Sequence, residues 1–346
     1  MEKGKASAQG GFKGFPPAGK DIAAPRIDPL FGLKTPLVFA HRGGAGEAPE
    51  STEEAFRHAA IQAGVDVLEI DLQVVKDREI VVWHGPELDN VHDGARLLTG
   101  SDIRDMDFHA ELKDRAWVVH PNRTEKLEKS TERRLLTLED FLGLLKTMER
   151  ELKDAGRPRI LQLNIELKEG KGKCATGAWM PVMAKLFDLL DRENPERGIV
   201  LAGAAQEIVD AIRAEISRRK ARPYVANVSP EEQLGFHAFM SDGIHTLLFC
   251  LYGMISLESK DPPPGPYAFE TYYRFCSRDL VERIRADGGG LYPFLTEIEI
   301  FPAVDTAADD RLKTVLKELI DLGVDGVMTD YPAKVVRVLR SLDLRE

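Results

Sequence analysis

The hydrophobic pattern is sharpest between Leu37 and His84. Three short apolar runs there, Leu37-Val38-Phe39-Ala40, Val65-Asp66-Val67-Leu68-Glu69-Ile70-Asp71 and Ile80-Val81-Val82-Trp83, are rich in Val, Ile and Leu and bounded by Gly or charge. They read as buried strands. Each ends on a titratable group: His41 with Arg42, then Glu69 and Asp71, then His84. Three such ends in succession predict parallel strands opening onto one mouth. Between the first two, Ser51 followed by Glu54 is a capping-box pattern for a helix that stops near Ala63, before Gly64.

The alternation resumes further on. Thr137 with Asp140 opens a helix that carries Phe141, Leu144, Leu145 and Met148 on one face. Residues 159–168 form the next strand, with Leu163, Ile165 and Leu167 alternating with Asn164, Glu166 and Lys168. Residues 198–203 and 223–228 read as strands five and six, 245–252 fit either strand or helix, 290–297 follow, and 324–330 close the count of eight. Pro332 suits the first turn of the last helix.

The predicted fold is therefore α/β, a (β/α)8 TIM-type barrel. Such a barrel takes about 250 residues, leaving roughly 90 of this chain's 346 for a tail and insertions. Residues 1–34, rich in Gly, Lys, Ala and Pro, form a flexible N-terminal arm, or else clamp Phe12, Phe15, Leu30 and Phe31 onto the barrel's bottom. The barrel occupies 35–346. Its charged stretch 85–135 is a small insertion after strand 3, with 101–109 as a short helix and His92 as a turn residue. The insertion reads as a substrate-shaping cap or a solvated excursion, and its length favours the cap.

The strand ends define the chemistry. Glu69 and Asp71 are two apart, so their carboxylates share a face and repel unless a cation lies between them. Oxygen ligands on a fixed backbone suit Mg²⁺ or Ca²⁺. Glu166 adds a third carboxylate and Lys168 a cation for a phosphate; a solvated strand would show the same alternation, but a buried barrel strand gives it a use. Arg42 presents a planar fork matched to phosphate or carboxylate oxygens. His41 and His84 offer a general acid and a general base near neutral pH.

These residues resemble the glycerophosphodiester phosphodiesterase family. The likeness rests on His41-Arg42-Gly43, Ala48-Pro49-Glu50-Ser51-Thr52, Glu69-Ile70-Asp71, Trp83-His84, Asn164-Ile165-Glu166-Leu167-Lys168 and Gly323 through Pro332. It implies one divalent cation on Glu69, Asp71 and Glu166, Arg42 and Lys168 on the substrate phosphate, and His41 and His84 as the acid/base pair. Glu50 matches a family position near the metal, although a helix N-terminus explains it equally well. The family continues His-Asp where this chain has His84-Gly85; the spacing from Asp71 assigns the role to His84, with His92 in reserve. Where the family has a Trp-Thr-Val-Asn strand end, this chain has Tyr292-Pro293-Phe294-Leu295, and Glu297 or Glu299 is a further acidic candidate. Thr329 and Asp330 would support His41.

The implied reaction is metal-dependent hydrolysis of a glycerophosphodiester, through attack by the substrate's own glycerol hydroxyl, to glycerol 3-phosphate and an alcohol. Two alternatives stand beside it. One is a phospholipase D- or sphingomyelinase D-like lyase on lipid head groups, favoured by apolar residues 247–254 and the Pro-rich 261–266. The other is a non-catalytic phosphoester-binding barrel, favoured by Gly85.

Composition narrows the partners. A net charge of −10 argues against nucleic acid, and no apolar run is long enough to span a membrane. Cys174, Cys250 and Cys276 have neither zinc nor disulfide spacing and read as buried small hydrophobes. No apolar signal region precedes the barrel, so a cytoplasmic location is expected, or secretion if a signal has been removed. The substrate is a small-molecule phosphodiester; oligomeric state is not encoded legibly.

Overall fold

The structure, a computed structural model, describes residues 25–85, 87–93, 96–113, 118–119, 134–168, 176–194, 196–203, 206–219, 224–228, 268–286, 288–295 and 308–345. In chain order the strands are β1 (Leu37–Ala40), β2 (Val67–Val74), β3 (Ile80–Val82), β4 (Glu87–Asp93), β5 (Arg96–Asp102), β6 (Val118–Val119), β7 (Gln162–Leu167), β8 (Ile199–Gly203), β9 (Tyr224–Val228), β10 (Ala268–Phe269), β11 (Gly290–Leu291) and β12 (Gly326–Thr329). The helices are α1 (Glu53–Arg57), α2 (Leu138–Asp154), α3 (Met183–Leu190), α4 (Gln206–Arg219), α5 (Arg278–Ala286), α6 (Ala308–Leu322) and α7 (Pro332–Ser341).

Parallel ladders run β12-β1-β2-β7-β8-β9. A parallel pair β10-β11 continues the ring, and β11's extension rejoins β12 through the Phe294–Met328 bridge. β9 lies beside β10. This is the TIM-type barrel. Alternation along its staves separates two cores. Leu37, Phe39, Val67, Val200, Ala268, Tyr292 and Met328 fill the interior. Val38, Ala40, Leu68, Ile70, Leu163 and Ile165 face the helices, meeting Phe56 and the α2 stripe of Phe141, Leu145 and Met148.

One expected stave is not a stave. Ile80–Val82 pairs antiparallel with the end of β2, Leu72 against Val82 and Val74 against Ile80. Only residues 75–79 join the two strands, enough for a hairpin but far short of a parallel crossover. The excursion does follow this third strand of the chain, where it includes the antiparallel sheet β5-β4-β6. β3 stands between two cores: Ile80 and Val82 join the barrel's outer shell, while Val81 and Trp83 pack with Ile103, Phe108 and Leu112 of the excursion. His92 is in β4 rather than a turn, since its backbone pairs with Leu97 and Val118. The short helix expected over 101–109 is instead the end of β5, a 3₁₀ turn at Ile103–Asp105 and a π turn beginning at Phe108.

The eighth stave comes from Ala268–Phe269, which the hydrophobic pattern did not mark. The ambiguous 245–252 lies outside the described residues, as do 1–24, 169–175, 229–267 and 296–307, and with them Glu297 and Glu299. Of the arm, residues 25–34 are described: Ile27 bridges Lys34, and the turn between them seats Phe31 under the barrel against Phe39 and Tyr292. Asp28 holds that turn, its Oδ1 accepting from Leu30 and Phe31 N–H and its Oδ2 from the Tyr292 hydroxyl. Thr52, one residue beyond the expected Ser51, caps α1, because Ser51 adopts a left-handed φ of 58°. Cys276 is buried. Among the described residues no helix is long and apolar enough to cross a membrane.

Candidate active site

Two residues up each stave from the apolar interior, the side chains turn polar. Phe39 gives way to His41, Val67 to Glu69 and then Asp71, and Met328 to Asp330. Because β1 is parallel to both β12 and β2, all these groups emerge at the same end. On β7, Asn164 lies level with Glu69 and Glu166 level with Asp71.

The loop after β1 is a tight turn over His41–Gly43, with Arg42 at a left-handed φ of 51°. The Arg42 backbone N–H donates to Glu69 Oε2 at 2.7 Å, which ties the turn to β2. Gly43 lets α1 approach closely: at its φ of 83° a side-chain carbon would sit 2.8 Å from Ala55 Cβ. Arg42 Nε lies 3.1 Å from Asp71 Oδ2, and its Nη1 lies 3.3 Å from Glu50 Oε2. Glu50 thus pairs with Arg42. Burial opposes the Arg42 charge, but Glu50, Asp71, Glu69 and Asp330 outweigh it and keep the guanidinium cationic.

Glu69, Asp71 and Glu166 each present a carboxylate oxygen, all within 4.8 Å of one another. Burial and the neighbouring Asp71 charge push the Glu69 carboxyl up. Burial also works against Asp71, but Lys168, His84, Arg42 and His41 overcome it and hold that carboxyl well below the usual range. Lys168 Nζ reaches Glu166 Oε1 at 2.8 Å and Asp71 Oδ1 at 3.2 Å. Its carbonyl accepts from Trp179 Nε1 at 2.7 Å, anchoring the end of β7. An all-oxygen donor set, two members buried and one carboxyl destabilised in its charged form, fits a hard divalent cation.

The two histidines reach the cluster by different routes. His41 Nδ1 is 2.6 Å from Asp330 Oδ1. Burial and Arg42 oppose protonation of His41, yet Asp330 and Glu69 raise it to about 9. His84 arrives from the hairpin: β3 runs back toward the mouth, Trp83 N–H donates to the Asp71 carbonyl at 3.0 Å, and Gln73 Nε2 to the His84 carbonyl at 2.8 Å. The antiparallel turn therefore delivers His84 to the place that a parallel stave was expected to supply.

His41, Arg42, Glu69, Asp71, His84, Glu166 and Lys168 converge on this mouth. Strand-end reasoning missed Glu270, which follows β10 and accepts from Asn164 Nδ2 at 2.7 Å. Its signal was the one that found the others, a charge closing an apolar run, but the run is only Ala268-Phe269.

Carboxylates arranged for a hard cation, with fixed cations and imidazoles around them on a TIM-type barrel, define the class: a phosphoric diester hydrolase. The chain belongs to the glycerophosphoryl diester phosphodiesterase family, whose profile matches residues 41–334. It is 35% identical over 302 residues to a glycerophosphodiester phosphodiesterase of Bacillus subtilis, covering 86% of this chain and 84% of the relative. It is 26% identical over 298 residues to a lysophospholipase D of Homo sapiens, covering 86% and 83%. The fold is shared with a glycerophosphoryl diester phosphodiesterase structure from Silicibacter pomeroyi, at a TM-score of 0.61 and 20% identity over 89% of this chain and 94% of that one. It is also shared with an Oleispira antarctica phosphodiesterase in complex with sn-glycerol-3-phosphate, at a TM-score of 0.54 and 19% identity over 88% and 97%.

Proposed function

We propose that this enzyme hydrolyses a glycerophosphodiester to glycerol 3-phosphate and an alcohol, with one divalent cation held by Glu69, Asp71 and Glu166. The observation that carries the reading is the arrival of Glu166, on a separate stave, within 4.8 Å of both acids of β2. A bound Mg²⁺ or Ca²⁺ would supply Lewis-acid neutralisation of the phosphate charge. Arg42 and Lys168 add fixed positive charge beside it, already placed by their carboxylate partners and so needing little reorganisation.

One imidazole of the His41/His84 pair takes the proton from a glycerol hydroxyl as its oxygen bonds to phosphorus. The other protonates the alcohol oxygen as its bond to phosphorus breaks. Water then opens the cyclic phosphate with the two roles exchanged. Asp330 holds His41 in orientation through Nδ1, leaving Nε2 for the substrate.

A panel of glycerophosphodiesters with Mg²⁺, Ca²⁺ and Mn²⁺ tests the reading. Glycerol 3-phosphate is the expected product with at least one ion. Its absence with every ion would favour the phosphoester-binding barrel. The human relative, a lysophospholipase D, supports a second reading in which the glycerol side carries an acyl chain and the head-group bond of a lysophospholipid is cleaved. Cleavage of lysophospholipid in vesicles would establish it.

A further inference from the structure

The mouth holds a polar pair that the proposed chemistry leaves unused. Ala268 belongs to the barrel interior and Phe269 to the outer shell, so the next inward position on that stave is Glu270. Glu270 meets Asn164, which is level with Glu69 and two residues before Glu166. A carboxylate oxygen accepts, so the Asn164 amide nitrogen must face it, and the amide orientation follows. The remaining Asn164 oxygen, Oδ1, is then buried in a residue only 3% exposed, with no hydrogen-bond partner among the described residues. Buried acceptors of this kind are rare in native structures and mark a place where a donor is missing.

We propose that Asn164 and Glu270 form a hydroxyl-accepting subsite beside the phosphate, and that Glu270 sets the preference for the glycerol side of the substrate. The proposal rests on the phosphodiesterase reading above. Arg42 and Lys168 pair with carboxylates, and Glu69, Asp71 and Glu166 are the acids grouped for the metal; Asn164 and Glu270 lie outside both sets and offer acceptors to neutral donors. A diester phosphate has no O–H at neutral pH and an acyl or alkyl chain has none, whereas glycerol keeps two. Beneath the pair lie Phe39, Val200, Ala268, Tyr292 and Met328, an apolar floor that strengthens each hydrogen bond made above it. The field of the site reaches Glu270 as well: burial raises its carboxyl to about 7, against His41 and Lys168.

The experiment compares a glycerophosphodiester with its propane-1,2-diol analogue, which lacks the terminal hydroxyl, in the wild type, Glu270→Leu and Glu270→Gln. The wild type is expected to prefer glycerol in kcat/KM by a factor on the order of 10 to 100, the range for one buried hydrogen bond to a charged partner. Glu270→Leu brings the ratio near unity, mainly through KM, while Glu270→Gln, which keeps an oxygen, retains part of it. Calorimetric affinities for glycerol 3-phosphate and for propane-1,2-diol phosphate read the same preference without turnover, so a variant that loses rate still decides the matter. Equal slowing on both substrates with an unchanged ratio overturns the subsite and leaves Glu270 as a prop for Asn164. A loss that follows the charge of the leaving alcohol instead of the glycerol hydroxyl also overturns it. A wild type that binds both phosphates with glycerol preferred but releases nothing from any diester overturns the phosphodiesterase reading and not the subsite.

Discussion

The lower interior and the mouth of this barrel are built by the same staves two residues apart, yet they differ in almost every physical respect. Below, Phe39, Val67, Ala268 and Met328 close around Tyr292, with Phe31 seated beneath, and the layer is apolar. Above, His41, Glu69, Glu270 and Asp330 crowd like and unlike charges into partial burial. Such a concentration of charge costs stability that only packing elsewhere offsets, as the desolvation of Glu69 makes plain. Register makes the separation possible, because moving two residues along a stave changes the layer while keeping the side chain inward. Stability is concentrated in one layer and chemistry in the next.

Substitutions should therefore sort by layer. The largest effect is expected from His41→Ala, which should lower kcat by on the order of 10²- to 10⁴-fold while lowering the unfolding midpoint less than a substitution in the layer below. A comparable fall in stability would break the distinction. In the lower layer, Phe39→Ala should destabilise the fold by about 3–5 kcal/mol in denaturant titration while kcat per folded molecule stays near wild type.

A smaller effect sharpens the contrast through pH. Burial pushes Asp28 up from 3.8 to about 6, against the hydrogen bonds from Tyr292, Phe31 and Leu30. A carboxyl that binds its proton more tightly in the folded state adds stability that is complete below its ordinary value and is lost as pH rises through about 6. By neutral pH the loss is about 2–3 kcal/mol. Asp28→Asn should remove this slope between pH 4 and 7, as read from unfolding midpoints, without touching the mouth.

The mouth was more legible in the sequence than the ring that carries it. His41, Arg42, Glu69, Asp71, Glu166 and Lys168 announce themselves because a charge closing an apolar strand has few other uses in a buried sheet. The spacing inside Glu69-Ile70-Asp71 and Glu166-Leu167-Lys168 then fixes their common face. The stave count was harder. Ile80–Val82 has the composition of a stave, and only the brevity of 75–79 betrays a hairpin. Ala268–Phe269 is too short to show any period, so both the stave and Glu270 escape a pattern-based reading. The cap at Thr52 was displaced by one residue because Ser51's left-handed backbone is a property of the folded turn, not of its residue type.

The claim on which the account depends is that acids from two staves hold one ion and that the reaction needs it. Titrating Mg²⁺ or Ca²⁺ into chelator-stripped wild type and Glu166→Gln, with glycerol 3-phosphate release followed in the same samples, tests it most directly. The account predicts one ion per chain, release that returns as that site fills, and a parallel weakening of both in Glu166→Gln. Full release from the stripped enzyme, or ion binding unaltered by Glu166→Gln, would contradict it.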